Sequence, residues 1–274
     1  MTITKNKTRL FQKHLQAEEK SPATVEKYLK DTERFAMWLG GRPLNKENVL
    51  CYKQELVKNY APASVNAAIS SINSFLEFDG RRELKIKSVR IQRQVFALDG
   101  KDLSKQEYKK LIASADERLS LLMQTVCATG IRVSELSSIT IEAVKAEKVD
   151  ILCKGKLRTV ILPEKLCRML LKYASREKIF SGCVFRSRNG NPLDRSNIWT
   201  DMKKLCEKAG IPREKVFPHN LRHLFAKTYY SSQRDIVRLA DILGHSSINT
   251  TRIYTMEGCE IHRKNIESLG LLVN

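Results

Sequence analysis

The chain has 274 residues, with 49 lysines and arginines against 30 aspartates and glutamates, so its formal net charge is +19 and its pI is about 9.7. This excess favours a polyanionic partner, either nucleic acid or an anionic membrane surface. No run approaches the roughly 18–20 apolar residues that cross a bilayer, and the first residues lack the apolar core of a signal peptide. We therefore expect a nucleic-acid partner and a cytoplasmic protein.

Three amphipathic helices are predicted in the first part of the chain. Ser21-Pro22 is typical of an N-cap followed by proline at the first helical position, and Gly40-Gly41 ends that helix. A second helix begins near Asn45, and a third opens at Ala61-Pro62 and stops at Asp79-Gly80. Their apolar residues recur at helical spacing, which indicates the core of a small helical domain.

A basic strap, defined as residues 81–93, follows these helices and shows little helical periodicity. Along a DNA duplex it would contact phosphates and add affinity without sequence information. The alternative is an ordinary solvated linker. The candidate phosphate-binding residues are Arg81, Arg82, Lys85, Lys87, Arg90 and Arg93.

A second pattern starts near Leu98. Ser104 and Glu107 form a capping box, and the segment Leu119 to Ala128 is apolar nearly all round, which predicts a buried helix. Alternating residues from Val149 and from Arg158 predict a β-hairpin, and the later segments are mainly helical. The predicted fold class is therefore mainly α with a small β-hairpin or sheet.

Seven scattered cysteines accompany this pattern, without a C-x-x-C pair. An odd, dispersed set is typical of reduced, mostly buried thiols. The sequence predicts neither a disulfide framework nor a metal site.

Four short segments carry the candidate chemistry. They are 128–136, which contains Arg132, then 218–223 with His219 and Arg222, then Leu243-Gly244-His245, and finally Tyr254. Each segment alone is only a weak indication of catalysis, because solvated helix faces carry many such charges and most tyrosines are packing residues. Together and in this order, they resemble the tyrosine recombinases of the phage-integrase family, in particular the compact, Xer-like type with two domains.

The resemblance implies a domain organisation. Residues 1–92 would form a helical, SAM-like core-binding domain with the basic strap as its linker, and residues 98–274 a mixed α+β catalytic domain. The chain begins almost directly at the first of these domains, so we expect no additional arm-binding domain.

The side chains suit attack on a phosphodiester. Guanidinium groups pair bidentately with phosphate oxygens and keep their charge, which fits Arg132 and Arg222. Tyr254 would be the nucleophile, although a phenol with an ordinary pKa near 10 needs help to lose its proton. By resemblance, His219 accepts or manages that proton and His245 hydrogen-bonds the scissile phosphate.

Two further residues match the family motif in supporting positions. Glu135 would orient Arg132 or the helix end, since a carboxylate facing the phosphate would repel it. His223 would hydrogen-bond near the hairpin or the helix N-terminus without transferring a proton.

The general acid for the leaving 5′-oxygen is, by resemblance, a lysine in the hairpin turn. The turn of this chain, Cys153-Lys154-Gly155-Lys156-Leu157-Arg158, is shorter than the usual family pattern. Alignment from the first strand selects Lys154, and alignment from the second favours Lys156. We prefer Lys154.

The implied reaction joins Tyr254 to DNA as a 3′-phosphotyrosine, which a 5′-hydroxyl of the partner strand then attacks. Such a recombinase acts in DNA integration or recombination, as Xer-type or compact mobile-element recombinases do, and it needs no metal, ATP or other cofactor. Resolution of chromosome dimers, integration of an element and inversion of a segment stay open as its role. It would bind double-stranded DNA with inverted half-sites as a dimer and form a tetramer in the synapse, with a second copy or a related recombinase as partner. The alternatives are a type IB topoisomerase-like enzyme that relaxes DNA and a catalytically inactive DNA-binding regulator.

Overall fold

The computed structural model describes residues 4–91, 102–153, 156–187, 189–256, 263–264 and 266–271. The chain divides into two compact units, Met1–Arg93 and Gln94–Asn274, called here the first and the second unit. In the described part of the chain, no helix is both long enough and apolar enough to cross a bilayer.

The helices of the first unit are α1 (Lys5–Ala17), α2 (Pro22–Leu39), α3 (Lys46–Asn59) and α4 (Pro62–Phe78). Side chains of Ser21 and Asn45 cap α2 and α3, and Gly40 ends α2 with a left-handed φ of 53°, a conformation that glycine adopts without steric cost. The three predicted helices are therefore confirmed. Helix α1 was not predicted, and it packs because Phe11 and Leu15, four residues apart, are both fully buried.

The basic strap is, as far as Ile91, part of the first unit. Its residues form a short 3-10 turn, Arg82–Leu84, and then an extended segment. The Asn73 amide hydrogen-bonds both the N–H and the carbonyl of Ile86, at 3.0 and 2.8 Å, and Asn66 does the same for Val89. Side-chain amides thus replace the missing backbone partners of this segment and hold it against α4. Arg93 lies outside the described residues.

The charges of the strap fall into two groups. Arg81, Arg82 and Lys85 form ion pairs with carboxylates at the end of α4, at N–O distances of 2.6–3.1 Å. Lys87 and Arg90 are exposed. The latter two are therefore better placed than the first three to meet an external anion.

The second unit contains the helices from α5 onward and a β-hairpin. Its helices are α5 (Lys105–Ser114), α6 (Glu117–Thr129), α7 (Ile141–Lys145), α8 (Glu164–Arg176), α9 (Arg195–Ala209), α10 (Pro218–Gln233), α11 (Ile236–Leu243) and α12 (Ile248–Thr251). The predicted capping box of Ser104 and Glu107 opens α5. Helix α6 is buried around Leu122, Met123 and Val126, as its apolar pattern predicts.

The predicted hairpin forms from β1 (Lys148–Cys153) and β2 (Lys156–Ile161), paired antiparallel. Val149 lies opposite Val160, and Ile151 lies opposite Arg158, so Arg158 shares the hairpin face of three buried apolar residues. The predicted fold class, mainly helical with a small antiparallel sheet, is confirmed.

Candidate active site

Arg132 follows directly from the end of α6. Gly130 ends that helix with φ +67°, and a Cβ atom there would collide with the Phe225 ring, so both the backbone and the packing require glycine. Arg132 then precedes a 3-10 turn, Val133–Ser138. The Glu135 carboxylate accepts hydrogen bonds from the Arg132 backbone N–H at 2.8 Å and from its guanidinium at 2.9 Å. Glu135, 6% exposed, thus holds both the backbone and the side chain of Arg132.

Arg158 belongs to the same cluster, although the sequence motifs did not indicate a role for it. Its guanidinium donates to Glu135 Oε2 at 2.5 Å and to the carbonyl of Ile242 at 2.9 Å. A Cβ on Gly244 would lie 2.7 Å from the Arg158 side chain, so this glycine leaves room for the arginine. The available signal was a charged residue on the apolar face of an alternating strand.

Arg222 is the most deeply buried charge of the site, with 2% of the residue exposed. Its guanidinium donates to the carbonyls of Gly130 at 2.5 Å and Leu243 at 2.6 Å, and it contacts His245 Nε2 at 3.1 Å. Burial, and then the charge of Arg132, lowers the pKa of Arg222 to about 10. The group therefore keeps its positive charge at neutral pH.

His245 is held at both ring nitrogens. It follows Gly244, the left-handed C-cap of α11, and its Nδ1 lies 2.9 Å from the hydroxyl of Thr251. Burial, and then the charges of Arg222 and Arg132, lowers its pKa from 6.5 to about 4. His245 is therefore neutral at pH 7.

This shift predicts a pH dependence of stability. As pH falls below 6.5, the unfolded chain takes up a proton at His245 before the folded chain does, so the free energy of unfolding decreases until pH approaches 4. Between pH 7 and pH 5 we expect the free energy of unfolding to fall by about 1 kcal/mol more in wild type than in His245→Gln, after allowance for the partial exposure of His245. Urea unfolding followed by Trp199 fluorescence in a Trp38→Phe background measures this free energy at both pH values. An equal decrease in the two proteins would contradict the lowered pKa of His245.

Tyr254 lies in the 3-10 turn Arg252–Tyr254 and is 3% exposed. Its ring packs perpendicular to that of His223, with centroids 4.8 Å apart, and lies 6.1 Å from the ring of His245. The four segments with candidate chemistry therefore meet in one place within the second unit.

His223 has a different neighbour from the one expected. Its Nδ1 lies 3.7 Å from the carboxylate of Asp102, which also pairs with Lys227. The interaction with His223, and then that with Lys227, lowers the pKa of Asp102 to about 2. The expected contact near the hairpin or the helix N-terminus is replaced by this one, because His223 lies one turn beyond the start of α10 and faces the segment before α5.

His219 lies at a pocket of about 130 Å³ that Arg132, Arg195 and Arg222 also line. Its side chain is exposed, yet partial desolvation, and then the charges of His223 and Arg222, hold its pKa below its usual value. A neutral imidazole beside a cluster of guanidinium groups can accept a proton near an anion.

Neither candidate general acid can be located at the side-chain level. Lys154 lies outside the described residues, and Lys156 begins β2 without a described side chain. No group of three or more histidine, cysteine, aspartate or glutamate side chains placed to hold a metal ion occurs in the described ranges.

The sequence of the second unit matches a known family: the phage integrase family profile covers residues 101–258. The chain belongs to the phage integrase family. It is 30% identical to the tyrosine recombinase XerA of Thermococcus kodakarensis, over 96% of this chain and 94% of the relative.

Solved structures agree with the family. The crystal structure of XerA recombinase matches with a TM-score of 0.53 and 27% identity, over 99% of this chain and all of that one. A lambda integrase dimer bound to a COC′ core site matches with a TM-score of 0.71 over 93% of this chain and 95% of that one. At 17% identity, the lambda comparison shows the fold alone. The predicted family and enzyme class, a tyrosine-type site-specific DNA recombinase, are confirmed.

Proposed function

We propose that this recombinase cuts DNA by attack of the Tyr254 hydroxyl on a phosphate held by Arg132 and Arg222. The observation that carries the proposal is the convergence of both arginines, His245 and Tyr254 from separate segments. Positive charge arranged in advance around a phosphate stabilises the charge that develops on its oxygens during attack. The product would be a 3′-phosphotyrosine and a free 5′-hydroxyl.

The two arginines would hold the phosphate in different ways. Glu135 accepts a hydrogen bond from Nη1 of the Arg132 guanidinium, which leaves the other N–H donors of this group for a ligand. Two backbone carbonyls hold the guanidinium of Arg222, and the same group contacts His245 in the site. The buried carboxylate of Glu135 and the two carbonyls thus fix the direction of both positive groups.

The histidines would serve proton transfer and phosphate binding. The His223 ring contacts both the His219 ring, at 4.6 Å, and the Tyr254 ring. His219, held neutral, remains our proposed acceptor of the tyrosine proton, and His223 is a packing partner that connects the two. His245 would hydrogen-bond a nonbridging phosphate oxygen.

The general acid can be identified with a sulfur-substituted substrate. Lys154→Ala should slow cleavage by roughly 10²–10⁴-fold, because nothing protonates the leaving 5′-oxygen. Replacing that oxygen with sulfur should restore cleavage, since a thiolate leaves without a proton. Single-turnover rates of covalent complex formation on both substrates measure the effect.

Lys156→Ala is the matched control for this experiment, because it changes the neighbouring lysine of the same short turn. It should show no rescue by sulfur. Rescue of Lys156→Ala, with none for Lys154→Ala, would assign the general acid to Lys156.

The proposed substrate is double-stranded DNA with inverted half-sites, bound by a dimer and recombined in a tetramer. The net charge of +19 and the lambda integrase dimer of similar fold on its core site support this proposal. Lys87 and Arg90, both exposed, are the strap residues that we propose to contact phosphates. An action on mobile elements and the cytoplasmic location stay predictions.

The tail, residues 260–274, would connect protomers. Ile266, Leu269 and Leu271 are 56–80% exposed in the single chain. A groove of about 490 Å³ between α5, α6 and α10, lined by Tyr108 and Phe225, offers an apolar surface of the same unit. We propose that the tail of one protomer occupies this groove of its neighbour.

A further inference from the structure

The hydrogen bonds of His245 define its tautomer in the DNA-free protein. An arginine guanidinium only donates hydrogen bonds, so His245 Nε2, at 3.1 Å from Arg222, must be the acceptor. A neutral imidazole carries one proton, which is then on Nδ1. That N–H donates to the Thr251 hydroxyl oxygen at 2.9 Å.

This tautomer conflicts with the role proposed for His245. Phosphate oxygens accept hydrogen bonds and do not donate them, so His245 must present an N–H to the phosphate. The nitrogen that faces Arg222 and the site is Nε2, which carries no proton in the DNA-free protein. Phosphate binding therefore requires the proton on the other nitrogen.

We propose that Thr251 is a positioning residue that stabilises both tautomers of His245 in turn. The hydroxyl accepts from Nδ1–H in the DNA-free protein and donates to bare Nδ1 when Nε2–H binds the phosphate. One proton leaves Nδ1 and one arrives at Nε2 through water, with no net uptake. The inference rests on the proposed phosphate-binding role of His245.

The environment of Thr251 supports this assignment. Thr251 is fully buried at the end of α12, three residues before Tyr254, so packing holds its hydroxyl beside Nδ1. The His245 ring is only half-buried, which leaves it the access to solvent that the proton exchange requires. The low pKa of His245 keeps the ring neutral, which is the state in which the tautomer matters. A hydroxyl group both donates and accepts, whereas a carboxylate would only accept and would hold the proton on Nδ1.

Thr251→Val and Thr251→Ser separate the hydrogen bond from packing. Valine preserves the shape but removes the hydroxyl, whereas serine keeps it. At saturating DNA, we expect Thr251→Val to slow covalent complex formation by about tenfold to a hundredfold, as for one buried group left unsatisfied. Thr251→Ser should stay within about threefold of wild type, and DNA affinity should change little in either variant.

The tautomer itself can be observed by ¹⁵N NMR of the ring nitrogens, since the chain has five histidines. Tyr254→Phe protein with intact Thr251, bound to an uncleaved duplex that carries its site, provides the DNA-bound state. We expect the proton on Nδ1 in the free protein and on Nε2 in the complex.

Two results would overturn the inference: wild-type cleavage rates for a folded Thr251→Val, or an unchanged His245 tautomer in the DNA complex. The second measurement does not depend on the folding of any Thr251 variant. If wild-type protein formed no covalent complex with DNA at all, the proposed mechanism would fail first, which is a distinct outcome.

Discussion

Tyr254→Phe should lose covalent capture of DNA, by at least about 10⁴-fold, while DNA binding stays nearly unchanged. The substitution removes only the hydroxyl, and the buried ring keeps its packing against His223 and His245. Wild type incubated with a nicked suicide duplex should give a protein–DNA adduct that survives denaturant, because the cleaved fragment diffuses away and prevents religation. Denaturing gels measure the adduct, and mobility shifts measure binding.

Tyr230→Phe is the matched control. Tyr230 lies on α10 and packs partly buried against the same apolar cluster as Tyr254, so its loss tests the general effect of removing a phenolic hydroxyl there. We expect adduct at the wild-type level. An adduct from Tyr254→Phe would show that another residue is the nucleophile.

The local structure could largely be predicted from the sequence. Helix caps such as Ser21 and Ser104 act on backbone groups three residues away, and apolar periodicity reports one face of one helix, so both signals are contained in a short window. Helix α1 was missed because only Phe11 and Leu15 mark its buried face among charged and polar residues.

The partners of the polar groups could not be predicted in the same way. Arg158 donates to Ile242, 84 residues further along the chain, and Arg222 donates to Gly130, 92 residues earlier. Such contacts depend on how helices and strands pack, which one sequence does not state. The strap shows the same limit, because nothing in its sequence indicated that Asn66 and Asn73, on α4, supply the hydrogen bonds that hold it.

The proposed catalytic residues were recognisable for a different reason. Their identity and order match a family motif, and the structure adds what that motif omits: the burial of Arg222, the neutrality of His245 and the role of Glu135 between two arginines. Together these show how the second unit carries a dense positive site, because each guanidinium is fixed by a carboxylate or by backbone carbonyls.

Deletion of residues 262–274 should abolish cooperative binding to paired half-sites, and recombination with it, while one protomer still binds one half-site. The deletion removes the exposed side chains of Ile266, Leu269 and Leu271, which would otherwise fill the groove of the neighbouring protomer. It leaves the residues around Tyr254 in place. Mobility shifts on single and paired half-sites measure cooperativity, and a two-site plasmid measures recombination.

Point substitutions make the same test more specific. Leu269→Asp places a charge on the tail, and Thr228→Trp fills the groove that Thr228 lines on α10, so each should reduce cooperativity as the deletion does. Phe180→Glu alters a side chain that is 78% exposed elsewhere in the second unit, and it should leave cooperativity intact.

Because tail and groove would meet between two protomers, mixing the Leu269→Asp protein with the Thr228→Trp protein should restore one of the two possible contacts in a heterodimer and part of the cooperativity. Cooperative assembly by the truncated protein would instead place the tail on its own protomer.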